Sequence, residues 1–114
     1  VAVVPSRFEG FSLPAVEAMA CATPLVATTA GALPEVVGPD GHAALHVPPS
    51  DPEALAAAIG RLLDDPALRE RLGANGRERV LANYTWRRTA LSTVDWYRRV
   101  LEAGLSPREA TGAC

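Results

Sequence analysis

At 114 residues the chain has room for one domain and no more. Its composition, 48% hydrophobic and 21% charged, is that of a globular protein, one able to bury roughly two thirds of its surface. A formal net charge of −2 leaves no basic footprint, which excludes nucleic acid as an expected partner. All eleven basic residues are arginine, and alongside abundant alanine and proline this usage suggests a GC-rich genome. Cys21 and Cys114 are too few for a disulfide framework or a metal cluster, so a reducing, cytoplasmic setting is expected. No apolar run approaches the length of a membrane span, and no secretory signal opens the chain. Val1 begins inside a strand pattern without an initiator Met, so the chain is expected to be the later part of a longer one.

Val1-Ala2-Val3-Val4 is a continuous apolar run ending at Pro5, the pattern of a buried parallel strand. Ser6 to Leu13 is a polar turn, and Pro14 stands in the first turn of a helix running to Cys21. Strand, turn and helix form the unit at whose carboxyl edge α/β proteins bind ligands. Gly10 lets backbone approach a ligand, and Ser12 and Leu13 bring N–H groups to the helix start, a natural phosphate seat. Glu9 and Glu17 flank that seat, and a carboxylate can accept two hydrogen bonds from adjacent hydroxyls of a sugar or ribose. Two structural readings stand beside this one. Ser6-x-x-Glu9 also fits a capping box, and the helix dipole alone favours Glu17.

Pro24 to Thr28 predicts a second strand, parallel to the first through a right-handed crossover. Residues 29–44 are punctuated by Gly31, Pro34, Gly38, Pro39 and Gly41, with one helical turn at Leu33 to Val37. Ala44 to Val47 gives a third strand. His42 and His46 lie four apart, but on glycine and strand rather than helix, so surface or strand-edge histidines are expected, not metal ligands. Asp51-Pro52 and Asp65-Pro66 each open a helix with an N-cap and an N1 proline. Their apolar stripes are Leu55, Ile59, Leu62 and Leu63, then Leu68, Leu72, Val80 and Leu81. Gly73 and Gly76 interrupt the latter, where a bend or a close contact is expected. Thr85 caps a last helix with a stripe of Trp86, Ala90, Val94, Tyr97 and Leu101; Trp86, Trp96 and Tyr97 are expected as packing residues. Asn83-Tyr84-Thr85 spells a glycosylation acceptor, which without a secretory route has no use. Residues 1–103 are expected to form the domain and residues 104–114 a flexible tail.

Glu9-Gly10-Phe11-Ser12-Leu13-Pro14-Ala15-Val16-Glu17 resembles the E-x7-E signature of retaining GT-B glycosyltransferases, above all glycosyltransferase family 4. Further landmarks follow in register: Glu17 to Thr28, Gly31 to Val37, Val47-Pro48-Pro49, Asp51 to Leu55, and Tyr84-Thr85-Trp86. The resemblance implies an α/β fold, the Rossmann-like, donor-binding C-terminal domain of a GT-B enzyme, ending in a helical segment. It implies transfer of a sugar from a nucleotide-diphosphate donor, such as a UDP or GDP sugar, to a hydroxyl acceptor with retained configuration. Glu9 would be catalytic, holding donor sugar hydroxyls. Glu17 would clasp the ribose, and Gly10, Phe11, Ser12, Leu13 and Gly31 would contact the donor. The family's double glycine is here Gly31-Ala32, which adds a methyl and disfavours positive φ.

No metal or other cofactor is expected. The N-terminal acceptor domain and the family's upstream diphosphate-gripping Arg and Lys would lie outside this sequence, which contains no lysine. The chain alone is therefore expected to be inactive. Peripheral association with the inner face of the plasma membrane would come through that other half. The alternatives are a nucleotide-sugar-binding module without catalysis, or another GT-B enzyme such as a nucleotide-sugar epimerase.

Overall fold

The computed structural model describes residues 1–104. The chain divides into two compact units, Val1–Ala82 and a second that begins at Asn83.

In the first unit, β1 (Ala2–Val4), β2 (Leu25–Thr28) and β3 (Ala44–Val47) form a parallel sheet in the order β1-β2-β3. Val4 pairs with Ala27, and Thr28 with Val47. The helices α1 (Leu13–Ala20) and α2 (Leu33–Val37) lie in the crossovers, and α3 (Pro52–Asp64) and α4 (Pro66–Asn83) follow the sheet. Leu25, Val26, Ala27 and Thr28 are all buried, as a central strand covered on both faces must be. Val26, Leu45 and Val47 pack with Leu62, Leu68 and Leu72, which places α3 and the start of α4 on one face. Successive strand side chains alternate, so Leu25 and Ala27 turn to the opposite face, where α1 and α2 contact β2 and bury Ala15, Met19, Leu33, Val36 and Val37.

The helix starts are those the prolines announce. Asp51 Oδ1 accepts a hydrogen bond from the Ala54 N–H, and Asp65 Oδ1 from that of Leu68, each at 2.9 Å. The helix ends are closed from α4. Arg77 donates to the Ala20 carbonyl of α1, Arg79 to the Glu35 and Val36 carbonyls of α2, and Arg69 to the Leu62 and Leu63 carbonyls of α3. A guanidinium at a helix C-terminus satisfies orphan carbonyls and meets the negative end of the dipole. At Gly73 and Gly76 the expected close contact is found: an added Cβ would collide with the Ala22 carbonyl at the first and crowd the Met19 side chain at the second.

Several expectations are corrected. β1 starts at Ala2 rather than Val1, and β2 at Leu25, because Pro24 has no N–H for the ladder. Cys21 caps α1 instead of continuing it. Leu63 and Leu81 leave their stripes, 61% and 58% exposed. Each follows a buried neighbour, Leu62 or Val80, and the helical turn of about 100° per residue carries it off the core face.

The described part of the second unit is α5 (Trp86–Ala103), capped by Thr85 Oγ1, which accepts from the Arg88 N–H at 3.2 Å, and closed by Gly104 in the left-handed region. It buries none of its residues. Trp86 is 88% exposed, and Trp96 and Tyr97 are exposed too. Among the described residues of its unit, α5 is a single helix with no second element on its stripe. Of the expected tail, only Gly104 lies within the described residues.

Candidate functional site

The carboxyl ends of β1, β2 and β3 open onto three loops, and the sequence's candidate residues gather on the first two. The loop after β1 is held by side chains and backbone together. Thr28 Oγ1, at the end of β2, donates to the Ser6 carbonyl at 2.6 Å. Ser6 Oγ donates to Glu9 Oε2 at 3.0 Å. The Ala32 N–H donates to the Glu9 carbonyl at 2.9 Å. Gly31 has φ +55°, and a Cβ there would run into the Glu9 backbone oxygen. Gly31 therefore serves first to let the second loop close on the first. Ala32, in place of a second glycine, has φ −83° and tolerates its methyl.

Ser6 and Glu9 are paired, but not as a capping box. The chain between them is not helical, α1 starts only at Leu13, and the bond joins two side chains rather than reaching backbone N–H groups. The N-cap of α1 is Ser12, with φ 70° and ψ 78°, a left-handed conformation that L-residues adopt at a cost. Its side chain does not cap the helix. The hydroxyl is buried without a hydrogen-bond partner among the described residues. Pro14 falls in the first turn, so the start of α1 presents its dipole and backbone donors without a cap from the Ser12 side chain.

Glu9 is half-buried, whereas Gly10, Phe11, Leu13 and Glu17 are exposed. Glu17 stands one turn into α1, away from the buried Ala15 and Met19, and its carboxylate makes no hydrogen bond or ion pair among the described residues. Glu9 is thus tied into a framework and Glu17 is not. Beside the framework lies a cleft of about 410 Å³ along the sheet edge, whose lining includes Arg7, Thr28, Ser50 and Asp51. His46 sits on β3, its N–H donating to Asp40 Oδ1 at 2.8 Å, and His42 is exposed in the preceding turn.

Residue spacing pointed to Glu9, Glu17 and the helix start. It missed Thr28, whose place against Ser6 depends on strand register, and the Ser12 hydroxyl, which depends on a backbone angle. The Ser6–Glu9 pair was legible as a three-residue spacing, though in a helical setting the chain does not adopt.

The parallel three-stranded sheet with flanking helices, ending in a helix, matches part of the C-terminal domain structures of GT-B glycosyltransferases. The chain belongs to the glycosyl transferases group 1 family, whose model matches residues 1–79. It is 55% identical over 101 residues to the MMP alpha-(1->4)-mannosyltransferase of Mycolicibacterium hassiacum, covering 89% of this chain and 25% of that one. Among solved structures, the sucrose-phosphate synthase of Thermosynechococcus elongatus superposes with a TM-score of 0.80 at 50% identity, over 89% of this chain and 25% of that one. Anabaena HepE in complex with UDP-glucose superposes with a TM-score of 0.70 at 23% identity, over 92% of this chain and 27% of that one, a likeness of fold. The chain spans about a quarter of the length of each of these relatives.

Proposed function

We propose that this chain is the donor-binding part of a retaining, family 4 glycosyltransferase that moves a sugar from a nucleotide-diphosphate sugar to a hydroxyl acceptor. The observation that carries the reading is the framework around Glu9: one carboxylate fixed by Ser6 and two interlocked loops, beside a helix start that the Ser12 side chain does not cap. In the transfer, the bond from the anomeric carbon to the diphosphate oxygen breaks, one to the acceptor oxygen forms, and the acceptor's hydroxyl proton passes to the leaving diphosphate. Positive charge develops on the sugar and negative charge on the leaving diphosphate.

Glu9 holds donor sugar hydroxyls and sets a negative charge beside the developing cation. Backbone N–H groups at Phe11, Ser12 and Leu13 meet the sugar and diphosphate, with the α1 dipole opposing the growing negative charge. Gly10 leaves the approach clear, since nothing lies within 4 Å of where its Cβ would be. Glu17, free on the open face of α1, clasps the ribose diol, and Gly31 borders the donor from the second loop. The reading is metal-independent, because helix dipole and basic side chains of the complete chain neutralise the leaving group.

The likeness to HepE, seen with UDP-glucose, supports the fold's capacity for such a donor. The expected setting is the cytoplasm, with any association at the inner face of the plasma membrane supplied by the rest of the enzyme. No helix among the described residues is long and apolar enough to cross a membrane.

The test is steady-state kinetics of the full-length enzyme. Glu9→Gln should lower kcat by about 10²-fold, the scale of losing one preorganised electrostatic contact. Glu17→Gln should chiefly raise the donor KM, by about 10-fold for one charge-assisted hydrogen bond. Equal losses of kcat in the two variants would contradict this division of roles.

A further inference from the structure

We infer that Ser6 and Thr28 are positioning residues for the Glu9 carboxylate, a two-step brace that runs from the end of the sheet to the charge that meets the donor sugar. The inference rests on the reading of Glu9 given above. Its physical basis is the sequence of bonds from rigid to mobile. Thr28 is the last residue of the central strand, 3% exposed. It is β-branched, so its χ1 is restricted. Parallel pairing sets Val4 opposite Ala27, and this register brings Ser6, two residues beyond Val4, within reach of Thr28 Oγ1. The 2.6 Å bond to the Ser6 carbonyl fixes that backbone, and the Ser6 hydroxyl passes the placement on to Glu9 Oε2 at 3.0 Å.

A glutamate has three side-chain torsions, the last of them broad, and an unbraced one samples many positions. Charge-positioning groups must sit within about 0.5 Å of the productive geometry to keep their effect. Backbone bonds hold the Glu9 main chain through Ala32, and they leave the carboxylate itself to Ser6. The hydroxyl has one proton, and giving it to Oε2 leaves Oε1 and the remaining lone pairs of Oε2 for donor hydroxyls. At 3.0 Å the bond is at the long end for O–H···O, with room to tighten once a ligand is bound.

The experiment is a double-mutant cycle in the full-length enzyme, with donor KM and kcat read separately and thermal midpoints measured alongside. Ser6→Ala should lower kcat by about 10-fold with donor KM changed less than about twofold, since misplacement of a reacting group acts on the chemical step. Ser6→Thr, which keeps a hydroxyl, should recover most of that loss. Thr28→Val keeps shape and removes the donor, and should lower kcat by about 3- to 10-fold. Both losses should vanish when the same changes are made in a Glu9→Gln enzyme, because there is no carboxylate charge left to position.

A Ser6→Ala enzyme with unchanged kcat would overturn the inference. So would a loss that persists undiminished in the Glu9→Gln background, which marks a purely structural role. Should Ser6→Ala fail to fold, the Thr28→Val cycle decides in the same way. If Glu9→Gln itself leaves kcat intact, it is the reading of Glu9 that falls, and the two failures are thereby distinguished.

Discussion

Ser12 holds a left-handed backbone and a buried hydroxyl with no partner among the described residues, two unfavourable features at one position. A non-glycine residue held in a sparsely populated region costs about 1–3 kcal/mol, and an unsatisfied buried polar group a similar amount. Such costs gather where a ligand is to be met, and Ser12 stands at the start of α1, where the proposed donor lies. Ser12→Gly relieves both costs, at the expense of a more flexible unfolded chain. It should stabilise the domain by a net of about 1 kcal/mol, raising the thermal midpoint by several degrees, while weakening donor binding. A lowered midpoint with unchanged donor affinity would show that the hydroxyl is structural. Gly31 is the opposite case. Gly31→Ala should destabilise by about 2 kcal/mol, because the methyl meets the Glu9 carbonyl at a positive φ. Its kcat should fall too, as the loop carrying Glu9 is pushed aside, and kinetics of the full-length variant would check this.

At the scale of elements, α4 does more than cover the sheet. Its arginines close the C-termini of α1, α2 and α3, and its two glycines let α1 approach closely. The chain's exclusive use of arginine matters at Arg79, whose Nε and Nη2 reach two successive carbonyls of α2. A single ammonium cannot reproduce that fork. Arg79→Lys should therefore cost nearly as much as Arg79→Ala, about 1–2 kcal/mol in denaturant unfolding. Full rescue by lysine would mean that charge alone matters. The glycines allow a second contrast. Gly60 in α3 has nothing within 4 Å of its missing Cβ, so Gly60→Ala should stabilise by about 1 kcal/mol through helix propensity. Gly73→Ala, which meets the Ala22 carbonyl, should destabilise by about 1–3 kcal/mol despite the same gain in propensity.

For the whole molecule, the family match covers residues 1–79, and the chain corresponds to about a quarter of its relatives. Under the proposed function, the donor side of the reaction is represented here and the acceptor side is supplied elsewhere. The purified 114-residue chain should therefore show no sugar transfer when given nucleotide-diphosphate sugars and a range of hydroxyl acceptors. Turnover above a Glu9→Gln control would contradict that. Affinity for a nucleoside diphosphate in the absence of transfer, read by calorimetry, would agree with a donor-binding role. The exposed stripe of α5, from Trp86 to Leu101, has no partner element among the described residues of its own unit.

Local chemistry alone accounts for much of the architecture. Three short apolar runs, Asp-Pro pairs at Asp51 and Asp65, and Pro14 early in α1 are near-neighbour signals. A parallel α/β unit with its site at the carboxyl edge follows from their order. Glu9 and Glu17 were legible for the same reason, their spacing about a helix start. Other features depend on residues far apart in the chain. Whether Leu62 or Leu63 faces the sheet is set by how α3 rolls onto it, and whether Gly73 bends α4 or admits Ala22 is set by the approach of α1. Ser6 with Glu9 looked like a helix cap because three-residue spacing carries no information on backbone angle. It is a carboxylate brace because Thr28, 22 residues on, bonds to the Ser6 carbonyl, and strand register brings the two together.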